Sequence, residues 1–175
     1  RILFYLLASS SIRTACHIRK TTLSTLKLWE RISTLPAGKW IFSRMLCFKA
    51  PYFASIRPRF VELRHEYSEL RMTKRRSVQN HLGTVHAIAM CNMAELAGGT
   101  MTEVTVPATH RWIPKSMTVE YLKKATTNLV AIATPDALAD WPVAGEYRVN
   151  VVVQDTNDEP VFRATISMWV TPKKA

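Results

Sequence analysis

From Val85 to Met101 the chain reads Val-His-Ala-Ile-Ala-Met-Cys-Asn-Met-Ala-Glu-Leu-Ala-Gly-Gly-Thr-Met, with no Lys or Arg and one carboxylate, Glu95. Such a run predicts a helix from Val85 to about Glu103, weakened near its end by Gly98-Gly99. It is apolar all round, so other parts of the chain must cover it. A charge in such a segment loses its hydration unless a partner or a site compensates it. A desolvated carboxylate holds its proton to higher pH, which suits a general base.

The 175 residues are 47% hydrophobic, enough for one globular domain with a core. Mean hydropathy is −0.03. No apolar run approaches the roughly 18 residues that would span a bilayer. Cys16, Cys47 and Cys91 are odd in number and lack metal-ligand spacing, which reads as reduced thiols in a cytoplasmic protein with no metal site. Net charge is +11 and uneven. Residues 1–76 hold 16 of the 24 Lys and Arg against four acids, a balance of +12, and residues 77–175 balance at −1. The basic half suits an anionic membrane surface, nucleic acid or a phosphorylated cofactor, or is simply a solvated surface. No recognition motif supports the nucleic-acid reading.

Three segments follow in order. Residues 1–20 begin with Arg1, an apolar stretch Ile2 to Ala8 and then Arg13, Arg19 and Lys20, and are expected to be a disordered or non-native extension. Residues 21–58 form a helical segment. Leu23, Leu26, Trp29, Ile32 and Leu35 recur at helical spacing, Pro36-Ala37-Gly38 breaks the pattern, and Lys39 to Phe48 is a second helix. The first stripe fits packing on the domain or a partner subunit, or a membrane surface. Residues 59–175 hold a strand or curved hairpin at Arg59 to Met72 and then the long helix. Four strands come after it: Trp112 to Leu122, Asn128 to Thr134, Glu146 to Asp155 and Val161 to Val170. Asn157-Asp158 marks the turn between the last two. The expected class is α+β, an antiparallel sheet wrapped around one central helix.

Asn80, Gly83, Thr84 and His86 precede the helix, and Glu95 lies nine positions after His86. In this block the chain resembles the hotdog-fold acyl-CoA thioesterases of the phenylacetate-pathway type. Their pattern is Asn, two residues, Gly-Thr, one residue, His-Gly-Gly, and an acid nine after the His. The resemblance covers roughly residues 59–171. Uncharacterised bacterial hotdog proteins are more similar still, sharing the Trp40 to Arg59 region and His110-Arg111-Trp112-Ile113-Pro114-Lys115.

The resemblance implies a homodimer or dimer of dimers with a site shared by two subunits. Nine helical residues turn ~900° and rise about 13 Å, so His86 and Glu95 cannot meet within one chain. Asn80 and the His86 end would come from one subunit and Glu95 from the other. The N–H near Ala87 would polarise the thioester carbonyl, Asn80 would position substrate or water, and Glu95 would act as general base or nucleophile. Gly83, Met90, Asn92, Arg111 and Lys115 are the expected substrate-binding residues. The acyl chain would lie near Met90 and Met93, and the phosphates of coenzyme A on Arg111, Lys115 or Lys74-Arg75-Arg76. Coenzyme A enters as part of the substrate, with no separate cofactor.

Three departures stand out. Ala87-Ile88 replaces the Gly-Gly, Glu95 replaces the commoner Asp, and Pro114 or Lys115 stands where some relatives carry a Ser. Bland readings compete with the chemical ones. His86 could cap the helix, Asn80 could satisfy its own turn, Asn92 could hydrogen-bond Glu95 or pack in the core, and Glu95 could pair across a dimer. The expected activity is hydrolysis of acyl-CoA or related acyl-carrier thioesters. The alternatives are a non-catalytic hotdog protein that binds acyl-CoA or a protein partner, and a hotdog dehydratase or hydratase.

Overall fold

The computed structural model describes residues 24–137, 141 and 144–173. The expected extension over residues 1–20 lies outside them. The described residues form helices α1 (Thr25–Ile32), α2 (Gly38–Lys49) and α3 (Ala87–Thr105). The strands are β1 (Arg59–Arg64), β2 (Tyr67–Met72), β3 (His110–Tyr121), β4 (Leu129–Pro135), β5 (Gly145–Gln154) and β6 (Pro160–Pro172). All pairings are antiparallel, in one sheet of order β1-β2-β4-β5-β6-β3.

Arg59 to Met72 is a hairpin that turns at His65-Glu66, with Glu66 at φ 61°. Its uneven alternation has a cause in the ladder. The register shifts between Phe60 and Glu62, so Phe60 and Leu63, three apart, both face the core. The β5–β6 turn is held by the Asp155 carboxylate, which accepts from the N–H groups of Asn157 and Glu159.

The sheet curls around α3 in the hotdog arrangement. Met93, Ala94, Ala97 and Met101 are fully buried. Burying a side chain such as Met93 stabilises the fold by roughly 1.5–3 kcal/mol. Gly98 lets the helix settle onto β5 and β6, because a Cβ there would stand 2.8 Å from Ile166 Cδ1 and 3.3 Å from Val149 Cγ1. The cover is incomplete along one strip of α3. Ile88, Glu95 and Glu103 are exposed, and Cys91 and Gly99 are half-buried. Their spacing of three, four, four and four keeps them on one helical face.

The N-terminal helices share the core with the hairpin. Ser24 caps α1 by accepting the Lys27 N–H. Trp29, Phe42 and Phe60 pack edge to face, with centroids 5.0, 5.2 and 6.4 Å apart. Ser43 Oγ donates to the Lys39 carbonyl and accepts the Phe60 N–H, which fastens α2 to β1. The apolar stripe of α1 is therefore turned into the protein. No described helix is long and apolar enough to cross a membrane.

Candidate active site

The loop before α3 is built by Asn80. Its Oδ1 accepts the N–H groups of Leu82 and Thr84, at 3.0 and 3.2 Å, and its Nδ2 donates to Thr84 Oγ1 at 2.9 Å. Gly83 sits at φ 74°, a conformation that a side chain would strain. Asn80 and Gly83 thus shape the loop, and in this state the Asn80 amide is engaged within its own turn. The loop delivers His86 as the N-cap of α3. His86 is extended (φ −66°, ψ 137°), and its Nδ1 accepts the Ile88 N–H at 3.1 Å. That bond puts the proton of the neutral ring on Nε2. Ala87 follows as the first helical residue, whose N–H has no partner within a helix. It donates to no group among the described residues. Ile88 stands beside it, 54% exposed.

A hollow of about 230 Å³ lies against this end, lined by His86, Ile88 and Asn92 and by three hydroxyl-bearing residues, Tyr52, Ser55 and Ser77. No motif in the sequence marks these three residues. Asn92 does not meet Glu95. It is buried, its Nδ2 donates to Ser55 Oγ at 3.0 Å, and its Oδ1 has no partner among the described residues. Ser55 is placed by Arg75, whose guanidinium donates to the carbonyls of Ser55 and Ile56 at 2.6 and 3.1 Å. Burial, and then Arg57, lowers the Arg75 pKa. Arg75 is a structural clamp here, not a free cation for phosphate.

Glu95 belongs to a different opening. It lines an apolar cavity of about 540 Å³ between α3, the N-terminal helices, β3 and β6. Leu28, Phe42, Met45, Leu46 and Phe53 form one wall, and Leu96, Gly99, Trp112 and Met168 the other. Glu95 is exposed rather than desolvated, because it projects from the uncovered strip of α3. It makes no hydrogen bond or ion pair with any described residue. Glu103, two turns on, also lines the cavity, but its Oε2 accepts the Trp112 Nε1–H at 2.9 Å.

Other expected substrate contacts fall elsewhere. Met90 and Met93 are core residues, 4% and 0% exposed, and neither lines the cavity. They lie on helix faces turned away from the Glu95 strip. Arg111 and Lys115 stand on the outer face of the sheet. Trp112 and Pro114 point into the cavity, so Arg111 points out, where its Nε donates to Thr171 Oγ1. Lys115 sits at a register shift between Pro114 and Ser116, paired with Glu146 at 3.3 Å and stacked over Trp169. On the open strip, Cys91 Sγ lies 3.3 Å from Tyr121 Oη. That bond and then burial push the Tyr121 phenol up to about 12, so it stays protonated at neutral pH.

His86 and Glu95 therefore open into separate hollows of one protomer. One hollow holds the N-terminus of α3, with the Ala87 N–H unpartnered among the described residues, and the other a carboxylate at an apolar cavity.

The family model described as Domain of unknown function (DUF4442) matches residues 38–170. A structural-genomics target of known structure is 51% identical, with a TM-score of 0.75, covering 86% of this chain and 99% of that one. A Pseudomonas aeruginosa protein of unknown function, named a probable thioesterase, is 24% identical with TM-score 0.67, covering 79% and 97%. A Haemophilus influenzae thioesterase is 12% identical with TM-score 0.65, covering 73% and 87%. No curated protein matches the chain.

Proposed function

The chain belongs to the family described as Domain of unknown function (DUF4442), and from that premise we propose that it hydrolyses acyl-CoA or related acyl-carrier thioesters in a site shared by two copies. The observation that carries this reading is Glu95: an exposed, unpaired carboxylate at an apolar cavity, on the strip of α3 that the sheet leaves open. The thioesterase names of the fold's neighbours support it, as does the resemblance to the phenylacetate-pathway type.

The orphan N–H of Ala87 and the helix dipole behind it polarise the thioester carbonyl. Glu95 of the other copy takes a proton from water as the water oxygen bonds to the carbonyl carbon. The negative charge passes to the carbonyl oxygen beside Ala87. Collapse breaks the C–S bond, the thiolate takes up the proton, and a carboxylic acid and a thiol leave. Attack by Glu95 itself, through an anhydride, would need the same carboxylate. Asn80 acts by holding the loop, and His86 by capping the helix.

Two copies are needed because the halves of the site are about 13 Å apart along one helix. Strand β3 is an open sheet edge, with Ile113 and Tyr121 exposed, and offers a surface for a second copy.

Thiol release from an acyl-CoA panel tests the proposal. Glu95→Gln should lose about 10²–10⁴-fold in kcat at unchanged Tm; unimpaired turnover would reject Glu95. Ala87→Pro deletes the N–H at a helix position that tolerates proline, after a residue already extended. It should lose about 10²–10³-fold in kcat. Mixing the two inactive variants should restore turnover, since a mixed dimer contains one intact site; no restoration would reject the shared site.

Ile88, standing over the hollow at the helix start, favours a second reading, a protein that binds acyl-CoA without turning it over. Tight binding with no thiol release from any panel member would establish it.

A further inference from the structure

We infer that the cavity beside Glu95 receives a straight acyl chain of medium to long length, and that Gly99 sets the length it accepts. The inference rests on reading Glu95 as the reacting acid, which places the thioester at one end of this cavity.

Glu95, Gly99 and Glu103 recur every four residues on one face of α3, so the cavity runs along the helix for about 12 Å. Its walls come mainly from apolar side chains, among them Phe42, Leu46 and Leu96. The lining also includes Lys49, and the Glu103 carboxylate is already engaged by the Trp112 indole. A volume of about 540 Å³ lies within the range of sites for whole small ligands and is far more than an acetyl group fills. An unfilled apolar wall loses its dispersion contacts, which disfavours a short chain.

The two adjacent glycines separate packing from function. Gly98 is demanded by Ile166, as its close approach shows. At Gly99 a Cβ would meet only the Trp112 ring edge, at 3.4 Å, an ordinary contact. Packing does not require glycine there, and glycine is a poor helix former. Its effect is to leave the middle of the cavity open. A larger side chain at this position would project into the space between Glu95 and Trp112.

Non-hydrolysable thioether analogues of coenzyme A, with alkyl chains from butyl to hexadecyl, test this by calorimetric titration of the intact protein. In the wild type, affinity should rise roughly fourfold per methylene until the cavity is full and then level off. Gly99→Leu should shift the plateau to shorter chains and weaken the longest by about tenfold or more, with Tm close to wild type. Gly99→Ala, the smaller change, should fall between and decides the matter if the Leu variant does not fold. An affinity independent of chain length, or the same length profile in wild type and folded variants, would overturn the inference. The expected profile without any thiol release from the matching acyl-CoAs would uphold the cavity and reject the hydrolase reading, so the two fail separately.

Discussion

Helix α3 has two sides built on opposite terms. The side toward the sheet is filled: Met93, Ala94, Ala97 and Met101 are fully buried, and Gly98 leaves no room for a methyl group. The side away from it is open: Ile88 and Glu95 meet solvent, and Gly99 borders a cavity. One helix thus carries both a packed core and the exposed carboxylate proposed to react. The difference teaches that an acid within an apolar helix need not be buried. It marks the strip where the covering stops.

Three substitutions probe that contrast. Met93→Ala removes a fully buried side chain and should cost about 2–5 kcal/mol in urea denaturation. Gly98→Leu forces a side chain against Ile166 and Val149 and should cost about 1–3 kcal/mol or more. If the same change at Gly99 proved equally costly, the two glycines would not lie on different sides in the way described. Glu95→Gln should leave stability within about 0.5 kcal/mol, because no described residue hydrogen-bonds or ion-pairs with the carboxylate. A large loss there would make Glu95 a structural acid.

Much of the fold can be read from local signals. The central helix runs Ala87 to Thr105, against Val85 to about Glu103 expected, because apolar continuity and the Asn80-to-His86 block bound it locally. The strands after it lie within two residues of their expected ends at most points, since alternation and turn residues are also local. The side chains that meet across the chain could not be read. The sequence places Met90 and Met93 near an acyl chain because a uniformly apolar helix does not reveal which face the sheet will take. One wall of the cavity that Glu95 lines comes from α1, α2 and the turn after them, more than forty residues before α3 ends. Asn92 finds Ser55, and Arg75 finds the carbonyls of the same turn, through contacts that no spacing announces. For Arg111 the signal was present: it alternates with Trp112, so the two cannot share a face.

The place of β3 at the end of the sheet has a consequence for how the chain is made. Among the described residues it pairs with β6 alone, from Tyr121 with Phe162 to His110 with Pro172. At synthesis rates of roughly 5–20 residues per second, the ribosome completes β3 several seconds before β6 exists. For that interval the strand has no neighbour on either flank, and the helix it will help to enclose stays uncovered there. Pairing between His110 and Pro172 also closes one of the widest loops in the chain, and contacts of that kind slow folding. Strand β6 therefore completes the enclosure of the central helix, and a chain that stops short of it would expose the apolar wall of the cavity that Glu95 lines.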